Sequence, residues 1–445
     1  MKINVAGAGA GKTTGLAAQI VEKHKSTPEH KNIYCVAFTN SAAESIREKL
    51  TTHFGVIPRN IIIGTIHSFM YQEFISPFYY LLYQKHYQSV SSIDLPANQS
   101  FKQKKLSELE DKNILHVEKI PERAKWVIVK KSSDTAREKE IRKTILKSFG
   151  TYCSSIFVDE AQDIDANVKD IFSSLDEAGP ELILYGDPKQ DIRGHGCFRE
   201  LIAAHTDDTS YISVCYRCPA EHLLLTNSLI RPEEQQRSSK TGGQIILLYE
   251  TDISKSLVLE KYDLKYIYKK NDRFETHVRT NEKAFDNIFY EVYAILSTLS
   301  KPTDQSTLKI TAYKFTRSII QCYLSGKTPS QAIAHFCRYT GRLQSGQYAK
   351  LCEAVATCYS PSKLQAAVSS IERAKGLEGE NCLFILTSDL AAYLLGNKTA
   401  ENKTKNALYV ALTRSLHTLT ILICKEVEAE YSRDKIDAFF KQYIT

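Results

Sequence analysis

Ala6-Gly7-Ala8-Gly9-Ala10-Gly11-Lys12-Thr13 follows a short apolar run, Ile3-Asn4-Val5, and leads into a segment that reads as a helix. Such a run of small residues lets backbone N–H groups close around a phosphate at a helix N-terminus, where the peptide dipoles favour negative charge. Lys12 is placed to bring a point charge to the β- and γ-phosphates, and the Thr13 hydroxyl to ligate Mg2+. Strand, glycine-rich turn and helix in this order predict a nucleotide site made of Ala6, Gly7, Ala8, Gly9, Ala10, Gly11, Lys12, Thr13 and Thr14.

Outward from this loop, apolar runs ending in polar residues recur. Residues 33–38, 61–63, 155–158 and 182–185 read as strands, and Ala42, Ala43, Ile46 and Leu50 fall at helical spacing after the first of them. Alternating strands and helices predict a parallel α/β sheet. The run Ile156-Phe157-Val158 ends in Asp159-Glu160, two adjacent carboxylates after an apolar strand. Asp159 is thereby positioned to hold Mg2+ and Glu160 to take a proton from the attacking water.

Between about 70 and 145 the alternation stops. Residues 71–87 are rich in Tyr and Phe, and 101–150 hold fourteen Lys/Arg against eight Asp/Glu. This reads as a helical insertion whose aromatics form helix core and whose charges are a solvated face; a grip on DNA is the alternative. A second α/β unit starts at the strand 244–249, is interrupted by a helical block at about 285–365, resumes at 382–386 and closes with 418–423. The expected fold class is α/β, with two parallel-sheet domains, each carrying a mostly helical insertion. The expected boundaries are 1–70 with 146–235, insertion 71–145, then 236–284 with 366–445, and insertion 285–365.

The chain has 445 residues, 24% charged and 43% hydrophobic, with a net charge of +7. This is the balance of a globular protein, and the mild positive charge suits a phosphate-backbone partner without requiring one. Eleven cysteines in no paired spacing imply reduced thiols and a cytoplasmic location. Cys215-Tyr216-Arg217-Cys218 lacks the second ligand pair of a zinc site and reads as two unbonded thiols. There is no apolar run long enough to span a membrane, and the N-terminal small-residue run is no signal peptide.

Asp159-Glu160-Ala161-Gln162-Asp163 resembles motif II of the UvrD/Rep/PcrA branch of superfamily 1 helicases, and eight further segments resemble that branch's motifs in order. The glycine-rich loop is similar to motif I, Val36–Ala43 to motif Ia, and Gly64-Thr65-Ile66-His67-Ser68-Phe69 to the next DNA-side motif. Gly186-Asp187-Pro188-Lys189-Gln190 resembles motif III and Cys215-Tyr216-Arg217 motif IV. Val278-Arg279-Thr280-Asn281 resembles motif IVa, Ala374-Lys375-Gly376-Leu377-Glu378 motif V, and Tyr409-Val410-Ala411-Leu412-Thr413-Arg414 motif VI. The resemblance implies that the two parallel-sheet domains are RecA-like, and that the chain is an ATPase that travels 3′-to-5′ on single-stranded or tailed DNA. It further implies that Gln190 senses the γ-phosphate, that Arg217 and Arg414 neutralise the transferring phosphoryl group, that Tyr216 stacks on adenine and that Glu378 bonds the ribose. Phe38, Thr39, Asn40, Thr65 and His67 match positions that line the single strand. The residues themselves agree in part, since Thr39 and Asn40 are natural helix caps.

The sequence departs from the branch at several points. Arg193 and His195 stand where the family has base-stacking aromatics, and a guanidinium or an imidazole can still stack. Glu372 replaces a DNA-facing histidine, and Lys403-Thr404 replaces the leading glutamate of motif VI. No adenine-reading glutamine precedes Gly7, so weak discrimination among purine triphosphates is expected. The insertions are short. Small UvrD-like proteins with trimmed insertions occur beside a nuclease in anti-phage systems such as Gabija. The alternative expectation is therefore an accessory ATPase with a nuclease partner and weak unwinding.

Overall fold

A computed structural model of the chain describes residues 1–96, 98–253, 262–269, 273–275, 281–299, 305–358 and 366–444. Two compact units divide it, one running over 1–253 and resuming at 371, the other built around 265–370.

The first unit holds a sheet that, among the described residues, has six parallel strands. Their order is Ile61–Thr65, Asn32–Ala37, Cys153–Val158, Glu181–Gly186, Lys2–Ala6 and Thr209–Ile212. Strands buried on both faces need apolar residues at nearly every position, and the split by face is visible in one strand. Tyr34 and Val36 enter the core cluster on one side, with Ile156, Val158, Leu182 and Leu184. Ile33, Cys35 and Ala37 enter the cluster on the other, with Leu16, Ile20, Ile46 and Leu50 from the helices Lys12–Ser26 and Asn40–Phe54. The register aligns the strand ends: Val5 pairs with Gly186, Val36 with Gly64 and Val158. Ligands bind at the carboxyl ends of parallel strands, and here those ends lead into residues 7, 38, 66, 159 and 187.

The segment between Ile61–Thr65 and Cys153–Val158 is mostly helical, as expected. Of its aromatics Phe74, Tyr79 and Tyr87 are core, buried against Phe149 and Leu115, while Tyr80 and Phe101 are exposed. Arg142, 1% exposed, anchors the segment with Nε 2.8 Å from Asp134 Oδ2 and Nη2 3.1 Å from Oδ1.

A second parallel sheet in the same unit runs Gly379–Leu386, Ser415–Ile423, Gln244–Tyr249, with Leu386 opposite Ile423 and Ile423 opposite Tyr249. The other unit is helical in its larger part, with Asn281–Leu299, Gln305–Leu324 and Ser345–Ala356 packing around Ile288, Val292, Ile319, Phe336 and Val355. It also holds short parallel pairings, Tyr266 with Ser369 and Phe274 with Ala366. Residues 278–280 of the expected motif IVa lie outside the described residues. Among the described residues no helix is long and apolar enough to cross a membrane, and the cysteines are free.

Candidate nucleotide site

Strand Lys2–Ala6 ends buried at Ala6 and passes into the loop 7–11. Gly9 (φ 67) and Gly11 (φ 74) adopt the left-handed region that glycine enters without penalty. A Cβ on Gly9 would also lie 2.3 Å from that of Arg217. The loop is pinned by groups distant in sequence. Ala8 N–H donates to Tyr409 OH (3.0 Å), which donates to Gln236 Oε1 (3.1 Å), whose Nε2 donates back to Ala8 O (3.2 Å). Tyr216 N–H donates to Gly9 O at 2.8 Å. Lys12 Nζ lies 3.4 Å from Gly7 O, and Thr14 is exposed on the first helical turn.

The acidic pair follows strand Cys153–Val158. Asp159, 1% exposed, accepts from Thr13 Oγ1 at 2.8 Å, so the threonine after the lysine meets the first carboxylate. Burial, then the charge of Glu160, pushes Asp159 up to about 6 against the pull of Lys12. A hydroxyl and a carboxylate oxygen side by side are hard ligands that fit Mg2+. Glu160 has φ 59, uncommon outside glycine. Burial would raise its pKa, but Lys12, Lys375 and the amide of Gln162, which donates to Glu160 Oε2, outweigh this and hold it low. Glu160 is thus an ionised carboxylate beside the loop, as a general base must be.

Gln162 also accepts the Asp187 N–H at 2.9 Å, tying this turn to the one carrying Gln190. Gln190 is buried, with Nε2 2.9 Å from Asp187 Oδ2. Lys189 Nζ is 2.9 Å from Asp187 Oδ1 and 5.1 Å from the centroid of the Tyr409 ring.

Tyr216 is 68% exposed, and its ring edge lies 3.5 Å from where a Cβ on Gly11 would be. An aromatic face is therefore open to a base beside the phosphate loop. Arg217 Nε is 2.5 Å from Glu378 Oε2, so the two residues expected at the phosphates and the ribose are paired with each other. Arg414 is 1% exposed, with Nε 2.9 Å from Val410 O, Nη1 3.4 Å from Leu377 O and Nη2 3.2 Å from Thr413 Oγ1. Its guanidinium is bound to protein acceptors rather than standing open as a finger.

The residues expected on the DNA side gather at the carboxyl ends of the same sheet. Thr39 Oγ1 accepts from Ala42 N at 3.1 Å and Thr65 Oγ1 from Ser68 N at 3.2 Å, so both cap helices. Asn40 is the first helical residue instead of a cap, and it is exposed. Phe38 packs partly buried against the core. Burial and the charge of Arg193 lower His67, against Asp165, so its imidazole is neutral near pH 7. Arg193 and His195 are exposed on a loop shaped by buried Asp191, whose carboxylate accepts from the N–H groups of Gly194 (2.7 Å), His195 (3.2 Å) and Gly196 (2.8 Å).

Gln236 was invisible in the sequence, a single polar residue in a polar stretch. Tyr409 opens the segment Tyr409–Arg414, but nothing local in the sequence marks its hydroxyl as a partner of the glycine-rich loop.

Residues 1–195 match the family described as AAA domain. The chain is 29% identical over 333 residues to Gabija protein GajB of Bacillus cereus (strain VD045), covering 70% of this chain and 65% of that protein's length. A structure of Arterivirus nonstructural protein 10 (helicase) with DNA aligns with TM-score 0.39 and 11% identity, over 99% of this chain and 62% of that one.

Proposed function

We propose that this chain, a UvrD/Rep-like protein of the superfamily 1 helicase kind, hydrolyses ATP with Mg2+ and uses the energy to move 3′-to-5′ along single-stranded DNA. The observation that carries the reading is the convergence of Thr13, Asp159 and an ionised Glu160 at the glycine-rich loop, with Asp159 2.8 Å from the Thr13 hydroxyl.

Lys12 would hold the β- and γ-phosphates, and Thr13 with Asp159 would hold Mg2+, which neutralises phosphate charge when bound. Glu160 accepts the proton of the attacking water, and Gln162 keeps its carboxylate in place. Gln190 reports the state of the γ-phosphate through Asp187 to the turn at 187–191. Arg217 would leave Glu378 for the phosphates, freeing Glu378 for the ribose, while the Tyr216 face takes the base. Thr39, Asn40, Thr65, His67, Arg193 and His195 would line the strand.

The match to a Gabija protein favours a second reading, an accessory ATPase that acts with a nuclease partner in anti-phage defence. ATP turnover with and without single-stranded DNA, beside strand displacement on 3′- and 5′-tailed duplexes, separates the two. Stimulation with displacement of the 3′-tailed duplex is expected. Turnover indifferent to DNA sinks the translocase reading, and stimulation without displacement favours the accessory one.

A further inference from the structure

Tyr216 and Arg217 are bracketed by two cysteines to which the ATPase reading gives no task. Cys215 is 2% and Cys218 0% exposed, while Tyr216 between them is 68% exposed, so the pair lies one residue below the surface. Cys215 Sγ is 3.2 Å from Ala8 O, and Cys218 Sγ is 3.6 Å from Thr413 O. The Cys218 N–H donates to Cys215 Sγ at 3.3 Å. The two thiols therefore tie this turn to the phosphate loop on one side and to the segment before Arg414 on the other. The Cys218 thiol and backbone N–H beside it outweigh burial and lower the Cys215 thiol to about 6, while Cys218 is raised by the same neighbour and by burial. Of the two sulfurs Cys215 is the one favoured as thiolate and Cys218 the one that keeps its proton, the division of labour of an oxidisable dithiol.

We propose that Cys215 and Cys218 are a redox modification site, closing to a disulfide under peroxide and thereby shutting the nucleotide site. The Cys215 thiolate attacks one oxygen of hydrogen peroxide; the O–O bond breaks, hydroxide leaves and Cys215 becomes a sulfenic acid. The Cys218 sulfur then attacks the Cys215 sulfur. The S–S bond forms, the S–O bond breaks, and the oxygen departs as water with the Cys218 proton. Two electrons pass from the sulfurs to the peroxide, and a dithiol returns them. A disulfide needs the two Cβ atoms about 3.8 Å apart. Closure thus exchanges the thiol contacts to Ala8 and Thr413 for a tightened turn. Because Tyr216 N–H is bonded to Gly9 O, and Arg217 leaves no room for a Cβ on Gly9, the displacement is passed to the phosphate loop.

The inference rests on the nucleotide-site reading, and its test keeps the two apart. The full chain is treated with hydrogen peroxide without nucleotide, the disulfide is located by peptide mapping, and affinity for a fluorescent ATP analogue is measured before and after dithiothreitol. The expected result is a 215–218 disulfide, an affinity loss of about tenfold or more, and recovery on reduction. Cys218→Ser and Cys218→Ala, each compared with its own reduced form, should lose no affinity under peroxide. The proposal is overturned by an equal loss in both variants, by a disulfide without loss, or by oxidation of half-buried Cys322 with Cys215 and Cys218 still reduced. Reduced protein that fails to bind the analogue sinks the nucleotide-site reading instead, since the mapping reports the disulfide without nucleotide.

Discussion

Lys375 clasps Asp163, its Nζ 2.7 Å from one carboxylate oxygen and 2.9 Å from the other. Asp163 follows the acidic pair on the first sheet, and Lys375 precedes strand Gly379–Leu386 of the second, so the ion pair joins the two sheets beside Glu160. Lys375 is also one of the charges that keep Glu160 ionised. Both side chains are largely shielded, at 16% and 12% exposed, so screening by solvent does not erase the contact. Lys375→Met should lower turnover by raising the Glu160 pKa and loosening the two sheets. Asp163→Asn should cause only the loosening, since it leaves the Lys375 charge beside Glu160. A double-mutant cycle on unfolding free energy should give a coupling on the order of 1 kcal/mol. Strict additivity would mean that the pair holds nothing together.

Glu160→Gln should keep ATP binding and lose turnover by about 10² or more, the usual contribution of a general base. The amide keeps the shape of the side chain but cannot take the proton. Wild-type turnover in this variant, measured at saturating ATP, would remove Glu160 from the mechanism.

Arg414 meets three protein acceptors through three different nitrogens. Lysine retains the charge but not the planar fork. Arg414→Lys is expected to melt earlier than wild type and, if the guanidinium leaves these acceptors for the nucleotide when ATP binds, to lose turnover by on the order of 10³, the scale of an arginine that completes a phosphoryl-transfer site. Full turnover together with early melting would assign the guanidinium to packing of the helix end at Val410–Arg414.

The buried pair Asp134–Arg142 controls the stability of the helical insertion. Removing the carboxylate by Asp134→Ala strands a guanidinium that is 1% exposed, at a cost of about 3–5 kcal/mol by urea unfolding. The hydrogen bond from Arg142 is the largest influence on Asp134 and holds its pKa below the ordinary value. A carboxylate whose folded pKa is depressed contributes stability above its unfolded pKa of roughly 3.9 and loses it as pH falls through the folded value. Wild-type stability should therefore fall on acidification below about pH 4. Asp134→Asn should be less stable at neutral pH and show a flatter acid limb. An unchanged acid limb in this variant would show that other carboxylates govern acid unfolding.

Local pattern alone determined the phosphate loop, the strand ending in Asp159 and Glu160, and the two-sheet α/β plan, because each is written in contiguous residues. Gly9 and Gly11 are glycines since their backbones are left-handed, and Cys35 and Val36 are both apolar since both faces of their strand are covered. Most of the aromatic run at 71–87 was legible as core for the same reason, with Tyr80 left exposed. Tertiary structure decided the rest. Thr209–Ile212 joins the first sheet as an edge strand beside Lys2–Ala6, although Thr209-Ser210-Tyr211-Ile212 has neither alternation nor an apolar run to announce it. Gln236 and Tyr409 hold Ala8 from 228 and 401 residues away, and Lys375 reaches Asp163 across 212. A hydrogen bond or an ion pair is selected by where two backbones happen to pass each other. Periodicity, which records only which side of an element is buried, carries no trace of the partner.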